Sequence, residues 1–259
     1  MPKFVRLAFR LVWMVAKLLW ISGDFVWLAV RSGGAPSLRD RTIWLQRSSR
    51  SMLRLLAVEV ETHGVPPAAG LLVCNHLSYL DILVLVTITP AVFVSKSEVR
   101  NWPVFGWFSR LAGTLYVDRT RRSDVARLGD EIRNVLRGGL VVVLFPEGTS
   151  SDGSDVLPFK SSLLEPVSGD QHALTIAHIG YSLVEGSVAN DVCYWGDMSF
   201  FPHFLKLLAK RAIQARVRFA AIERPVAQRK DLARQLHAEV LQLKNLAGQM
   251  NVRTGSAVG

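Results

Sequence analysis

The feature that most constrains the fold is the segment Leu140–Phe145, which is apolar without interruption and follows the pair Gly138-Gly139. A strand of this kind is buried on both faces, as in the interior of a parallel sheet covered by helices. The shorter segment Leu71–Cys74 has the same character. Helical patterns alternate with such strands along the chain. The sequence therefore predicts an α/β fold with a mainly parallel central sheet flanked by helices.

The spacing of apolar residues and turn formers divides the rest of the chain into shorter elements. Strands are predicted over 58–62, 71–74, 91–94, 114–117, 140–145, 174–179 and 214–219, and helices over 38–57, 79–87, 102–111, 123–136 and 226–246. We therefore expect an N-terminal helical region over residues 1–57, an α/β domain over residues 58–250 and a mobile tail over residues 251–259.

The segment from Phe4 to Val30 is strongly apolar but is interrupted by charges, so no uncharged stretch reaches the roughly 18–20 residues that cross a bilayer. On a helix, the charged residues of this region fall within about 80° of the circumference. They are Lys3, Arg6, Arg10, Lys17, Asp24 and Arg31. Trp13, Trp20 and Trp27 lie on the apolar side. The pattern predicts an amphipathic helix in the headgroup region of a membrane, with its cations reaching the water. A helix docked on the protein's own core, or a tilted or re-entrant insertion, is the alternative.

The charge balance points to a polyanionic partner. The 259-residue chain has 31 Lys and Arg against 21 Asp and Glu, a net charge of +10. This excess suits either nucleic acid or an anionic membrane surface, and the tryptophan-bearing helix favours the membrane. The cysteines, Cys74 and Cys193, have neither metal-ligand spacing nor the pattern of a disulfide framework. We expect reduced thiols in a cytosolic environment and no metal site.

A histidine and an aspartate, His76 and Asp81, follow the buried strand predicted over 71–74. A polar turn at the end of such a strand, leading into a helix, can present both side chains in one pocket. If the carboxylate binds one imidazole nitrogen, it fixes the tautomer and leaves the other nitrogen as a general base for a hydroxyl. The chain has six histidines, so this spacing alone has little specificity.

A second polar motif, Pro146-Glu147-Gly148-Thr149, follows the strand that ends at Phe145. Ligands bind beyond the carboxyl ends of parallel strands, so we expect the two motifs to share one pocket. Gly148 allows a ligand to approach the backbone closely. Glu147 is expected to bind an acceptor hydroxyl or to pair with a cation.

Between these motifs, the segment from Lys96 to Arg119 combines cations with glycines, a proline and large apolar side chains. Cations at the edge of a cleft suit a phosphate or another anionic headgroup. Arg119, directly after a predicted strand, is a better candidate for that role than Arg100 or Arg110. The apolar residues suit an acyl chain; they are Trp102, Phe105, Trp107 and Phe108.

In this order and spacing, the three stretches resemble those of the glycerolipid acyltransferase family, typified by 1-acyl-sn-glycerol-3-phosphate acyltransferase. Asn75, His76 and Asp81 match its Asn-His-x4-Asp element. The segment from Lys96 to Arg119 matches its Lys-x-Glu…Pro-x-x-Gly…Gly…Arg element, and residues 145–149 match Phe-Pro-Glu-Gly-Thr. The resemblance covers roughly residues 58–180, so the region over 58–250 is expected to be an acyltransferase domain.

The resemblance implies transfer of an acyl group from acyl-CoA or acyl carrier protein to the free hydroxyl of a lysophospholipid. It makes His76 the general base and Asp81 the residue that orients it. Histidine suits this task because its ordinary pKa is about 6.5. The residues expected to bind substrate are Asn75, Lys96, Arg119, Glu147, Gly148 and Thr149. Apart from the acyl donor as co-substrate, no cofactor is expected, and we expect the protein at the cytoplasmic face of the membrane.

The motifs leave two acceptors open, because Ser150 stands where many phosphatidate-forming members of the family carry an arginine that helps to bind phosphate. Lysophosphatidate is the commonest acceptor in the family and is the one expected. Segments 151–161 and 194–198 resemble a subgroup that includes lyso-ornithine lipid acyltransferases, which makes lyso-ornithine lipid the alternative. A basic, non-catalytic membrane- or nucleic-acid-binding protein is a different class. It would leave His76, Asp81 and Glu147 in register by coincidence, so no nucleic acid partner is expected.

Overall fold

The computed structural model describes residues 2–118, 121–165, 168 and 172–255. Strands and helices alternate along the chain, as the sequence predicts. The strands are β1 Val58–His63, β2 Gly70–Cys74, β3 Ala91–Lys96, β4 Leu115–Val117, β5 Val141–Leu144, β6 Leu174–Leu183 and β7 Ile213–Ile222. The helices are α1 Lys3–Arg31, α2 Leu38–Leu56, α3 Leu80–Ile88, α4 Phe105–Ala112, α5 Arg122–Arg137, α6 Ser161–Leu164, α7 Val188–Asp191, α8 Phe200–Leu208 and α9 Arg229–Gly255, with a 3₁₀ helix over Ser97–Asn101.

The seven strands form one sheet in the order β1-β7-β6-β2-β5-β3-β4. Every neighbouring pair is parallel except β6 and β7, which pair antiparallel from Leu174↔Ile222 to Leu183↔Ile213. The predicted α/β fold with a mainly parallel sheet is therefore confirmed. The antiparallel pair was not predicted, and its long ladder extends β6 and β7 beyond the expected ends of 179 and 219.

The central strands β2 and β5 are buried on both faces, so their side chains contribute to two separate cores. Leu72 and Val143 face one core, which includes residues of α1, α2, α3 and α8. Val73 and Val142 face the other, which includes residues of α5 and α9. This alternation explains why both strands are apolar at every position.

Two helices differ from the prediction for reasons of proline chemistry. The helix expected over 102–111 begins only at Phe105, because Trp102 precedes Pro103 and is kept in an extended conformation. Helix α8 was not predicted. It contains Pro202, which reads as a helix breaker but is tolerated in the first turn, where its missing N–H has no helical partner.

The N-terminal helix has the predicted span, but two of its cations, Arg6 and Arg10, face the protein. Nη1 of Arg10 donates to the carbonyl oxygens of Leu208 (2.8 Å) and Lys210 (2.6 Å), and Nε of Arg6 donates to that of Ala209 (2.9 Å). These carbonyls lie at the C-terminal end of α8, where no helical donor remains to bind them. The expectation that Arg6 and Arg10 reach the water above a membrane is therefore wrong.

Helix α1 buries Arg10, Met14, Ile21 and Leu28 against the protein and exposes many other large apolar side chains to solvent. Trp13, Trp20 and Trp27 are 47%, 53% and 63% exposed. The helix also rests on α2, where the buried Trp44 donates from Nε1 to the carbonyl of Ile21 (3.2 Å). Within the described residues, no helix is long and apolar enough to cross a membrane.

The last helix, α9, is longer than the predicted 226–246 and runs to Gly255. Part of the segment expected to be a mobile tail, residues 251–255, is therefore helical. The remainder of that segment, residues 256–259, lies outside the described residues.

Candidate active site

His76 and Asp81 meet in the turn between β2 and α3. Nδ1 of His76 lies 2.8 Å from Oδ2 of Asp81, and the carboxylate is fully buried while the imidazole is 21% exposed. The backbone N–H groups of Leu77 (2.7 Å) and Ser78 (3.0 Å) donate to the same carboxylate oxygen. Asp81 thus lies in the first turn of α3, where free N–H groups and the helix dipole favour a negative charge.

The second oxygen of the Asp81 carboxylate is held from across the sheet. The hydroxyl of Tyr181 on β6 donates to Oδ1 over 2.6 Å. An ionised carboxylate only accepts hydrogen bonds, so Nδ1 of His76 carries the proton and Nε2 holds the free lone pair. No described residue forms a hydrogen bond with that Nε2. Nothing in the local sequence around Asp81 signals Tyr181, because it comes from a distant strand.

Replacing Tyr181 by phenylalanine is expected to lower the turnover number about tenfold. The change removes one donor to the buried carboxylate, and hydrogen bonds to charged groups contribute about 1.5–3 kcal/mol. Turnover and melting temperature of the purified protein would be compared with those of Tyr116→Phe. That control also loses a hydroxyl pair, the one with Ser109, but away from this turn. Full activity in Tyr181→Phe would contradict the positioning role.

Glu147 binds the backbone of the same turn. Its Oε1 accepts the backbone N–H of His76 (2.8 Å), and its Oε2 accepts that of Leu157 (3.2 Å). The side chain is buried, and the ring of Phe145 stacks on the imidazole with centroids 4.2 Å apart. Both oxygens of the carboxylate, which we expected to bind an acceptor hydroxyl or a cation, therefore contact backbone N–H groups. Glu147 ties the β2 end to the loop that contains Leu157.

Glu147 is also expected to make the stability of the fold depend on pH. Burial, reinforced by the charge of Asp81, raises the pKa of Glu147 from its usual 4.5 to about 7. Because this pKa is higher in the folded chain than in the unfolded chain, the free energy of unfolding falls as pH rises from about 4.5 to about 7. The loss amounts to about 3 kcal/mol. Urea denaturation between pH 4.5 and 8 should show this fall relative to Glu147→Gln. A difference between the two proteins that stays constant with pH would contradict it.

Asn75, another residue expected to bind substrate, extends the sheet through its side chain. Its Nδ2 donates to the carbonyl of Ile179 (3.0 Å), and the N–H of Ile179 donates to its Oδ1 (2.8 Å). The side chain is buried and replaces a peptide group between β2 and β6 just beyond their last backbone pair, Cys74↔Ala177. This bridge holds the neighbouring His76 against β6.

Three other expected binding residues lie at the carboxyl edge of the sheet, namely Lys96, Gly148 and Thr149. Lys96 is exposed at the end of β3, and Arg119, after β4, lies outside the described residues. Gly148, with φ +73°, forms the tight turn after β5, and Thr149 beside it is exposed. Ser150 donates from Oγ to the carbonyl of Tyr194.

An apolar cavity of about 730 Å³ opens between α1, α2, α3, α4 and α8. This volume is within the range of about 300–1,000 Å³ that is typical of ligand pockets. Among the described residues, no charged side chain lines the cavity, and Trp102, Phe105 and Phe108 from the segment expected to suit an acyl chain form part of its wall. Tyr79 and Tyr194, which also line it, belong to the His76 region: the N–H of Tyr194 donates to the carbonyl of Leu77 (2.8 Å). The sequence did not predict how this cavity is built.

This chain matches one family model and is similar in sequence to several known acyltransferases. Residues 57–176 match the family model described as Acyltransferase. The lyso-ornithine lipid O-acyltransferase of Brucella abortus (strain 2308) is 38% identical over 74% of this chain and 78% of its own length. The 1-acyl-sn-glycerol-3-phosphate acyltransferase of Neisseria meningitidis serogroup B is 34% identical, over 51% of this chain and 52% of its own length.

A solved structure shares the fold. The crystal structure of the 1-acyl-sn-glycerophosphate (LPA) acyltransferase from Thermotoga maritima superposes with a TM-score of 0.62. The match covers 93% of this chain and 96% of that one at 16% sequence identity. At this level of identity the likeness concerns the fold alone.

Proposed function

The chain belongs to the Acyltransferase family, and from that premise we propose that it transfers an acyl group from a thioester donor to the free hydroxyl of a lysolipid. The donor is acyl-CoA or acyl carrier protein. The observation that carries this proposal is the His76–Asp81 pair, 2.8 Å apart, beside a cavity free of charged side chains. The pair supplies a base for a hydroxyl, and the cavity suits a lipid chain.

The proposed reaction uses one histidine in two steps. Nε2 of His76 takes the proton from the lysolipid hydroxyl as its oxygen attacks the thioester carbonyl. The tetrahedral intermediate then collapses, the C–S bond breaks, and the thiol leaves with the proton from the imidazolium. Asp81 stays ionised and stabilises the imidazolium that forms between the two steps.

Supporting residues keep this base in place. Asn75 and Glu147 hold the backbone on either side of the imidazole, while Tyr181 holds the carboxylate. We propose that these three act by positioning. Lys96 and Thr149, at the carboxyl edge of the sheet, are proposed to contact the headgroup of the acceptor, and so is Arg119.

Two acceptors are candidates. The first is 1-acyl-sn-glycerol-3-phosphate, whose acylation gives phosphatidic acid. The second, lyso-ornithine lipid, is favoured by two observations. The Brucella abortus relative is matched over 78% of its length and the Neisseria meningitidis relative over 52%. In addition, Ser150 stands at the position where many phosphatidate-forming members carry an arginine. Serine has no positive charge to bind a phosphate, and its hydroxyl donates to the carbonyl of Tyr194.

A transfer assay with both donors tests the function and separates the acceptors. The purified full-length chain would be mixed with acyl-CoA or acyl carrier protein and, separately, with lysophosphatidate or lyso-ornithine lipid. We expect a new acyl ester on at least one acceptor. The absence of any ester, combined with salt-dependent binding of nucleic acid, would instead support a non-catalytic basic protein.

We also propose that the protein associates with the cytoplasmic face of a membrane through α1. The exposed side of α1 presents three tryptophans and other large apolar side chains to solvent, while Arg6 and Arg10 bind the protein. An unpartnered apolar surface with tryptophans suits the interface between headgroups and acyl chains. The net charge of +10 adds attraction to anionic lipids.

Replacing Trp13, Trp20 and Trp27 together by glutamate is expected to weaken partitioning onto anionic vesicles at least about tenfold. Substitution is a cleaner test than deletion of residues 1–31, since deletion would uncover the buried Trp44. Vesicle sedimentation would be compared with that of Val65→Glu, another exposed apolar residue outside α1. Unchanged partitioning of the triple variant would show that α1 is not the main membrane contact.

A further inference from the structure

Two buried hydroxyl groups on α2 lack hydrogen-bond partners among the described residues. They belong to Ser48 and Ser49, whose side chains line the apolar cavity. The two residues are only 4% and 1% exposed. A buried hydroxyl without a partner raises the free energy of the folded state, because it has lost its hydrogen bonds to water. Two of them side by side in one cavity wall therefore need a physical reason.

Several other hydroxyls on the helices of this protein have partners in the preceding turn. Ser22 donates to the carbonyl of Leu18 (2.7 Å), and Thr87 donates to that of Val84 (2.7 Å). Ser109 likewise donates to a carbonyl of the preceding turn. This local bond is the usual way in which a serine or threonine inside a helix is satisfied. Ser48 and Ser49 are buried and lack this bond among the described residues, and both of them line the cavity.

The rest of the cavity wall limits what can satisfy these hydroxyls. A buried water molecule makes about three hydrogen bonds, and the surrounding wall, with Trp44, Leu45 and Met52, is apolar. A charged ligand group would lose its hydration without gaining a counter-ion, since none of the described residues that line the cavity is charged. A neutral hydroxyl on an apolar chain meets neither obstacle. It donates one hydrogen bond and accepts others, so one group can satisfy both serines.

We propose that the cavity binds an acyl chain that carries a hydroxyl group partway along its length, and that Ser48 and Ser49 hydrogen-bond to that group. The serine pair then selects hydroxylated chains over plain ones and sets the depth at which the chain lies. This inference rests on the proposed function in one respect, namely that the bound acyl chain is part of a substrate of acyl transfer. The hydroxylated chain has two sources, the acyl donor and the lysolipid acceptor.

The test measures kcat/KM with chains in which the hydroxyl is moved along the chain and with the plain chain of equal length. One arm varies the chain of the acyl-CoA, and the other varies the chain of the acceptor. In the unaltered protein we expect kcat/KM to be about tenfold higher for one position of the hydroxyl than for the plain chain, and we expect this ratio in only one of the two arms. The double variant Ser48→Ala/Ser49→Ala should reduce this ratio to about one. Ser22→Ala, which lies outside the cavity wall, should keep the ratio.

Binding of free fatty acids separates this inference from the proposed reaction. If no chain is turned over, the proposed reaction fails, yet hydroxystearic acid isomers and stearic acid still report on the cavity by calorimetry. The double variant alone should also melt at the same temperature as the unaltered protein or higher, because unpaired buried hydroxyls have been removed. The inference is overturned by equal affinity for hydroxylated and plain chains, by selectivity that survives the double substitution, or by a clear fall in melting temperature.

Discussion

Replacing His76 by alanine is expected to lower acyl-transfer turnover on the order of 10²- to 10⁴-fold, the contribution that a positioned general base makes. The imidazole is the base in the proposed reaction because Asp81 holds the proton on Nδ1 and leaves Nε2 without a partner among the described residues. Without the imidazole, the lysolipid hydroxyl must lose its proton to water. Steady-state turnover with saturating donor and acceptor would measure the effect.

The matched control for this change is His63→Ala, since His63 lies on β1 at the far edge of the sheet. It should keep nearly full turnover. Melting curves and vesicle binding would verify that His76→Ala still folds and associates with membranes, because the alanine also removes the stacking on Phe145. A folded His76→Ala protein with turnover close to that of the unaltered chain would disprove the general-base assignment.

The second large effect is expected from Asp81→Asn, which keeps the shape of the side chain but replaces one oxygen by an NH2 group. Turnover should fall on the order of 10²- to 10⁴-fold. Both carboxylate oxygens accept hydrogen bonds: Oδ2 from Leu77, Ser78 and His76, and Oδ1 from Tyr181. In either orientation the NH2 group of asparagine therefore faces a donor. If it faces His76, it favours the tautomer with the proton on Nε2, which cannot act as a base.

Two measurements separate this electrostatic role from a loss of folding. The melting temperature reports the cost of the mismatched hydrogen bonds, and the pH profile of turnover reports the base. Asp130→Asn is the control, since that carboxylate is exposed on α5 and pairs only with Arg133 among the described residues. If Asp81→Asn folds and retains the turnover and pH profile of the unaltered chain, Asp81 does not orient the base.

The sequence alone was sufficient for features that depend on neighbouring residues. The strands β2 and β5 were predicted because burial on both faces requires an apolar side chain at every position. His76 and Asp81 were expected to meet because one turn and the start of α3 lie between them, so their distance is a local property. The span of α1 followed from the period of its charged residues in the same way.

Features that depend on contacts between distant segments required the tertiary structure. The exposed side of α1 was decided by the free carbonyls at the end of α8, which bind Arg6 and Arg10. Tyr181 reaches Asp81 only because β6 lies next to β2 in the sheet.

The same distinction applies to the His76 turn and to the cavity. The sequence determined that the turn after β2 carries a base and its carboxylate, because apolar strands and short turns are specified by local pattern. Only the tertiary structure decided that Glu147 binds the backbone of this turn and that Ser48 and Ser49 line an apolar cavity with no partner among the described residues. Hydrogen bonds and cavities arise where separate elements pack, and the spacing of residues along one element does not encode which distant element it will meet.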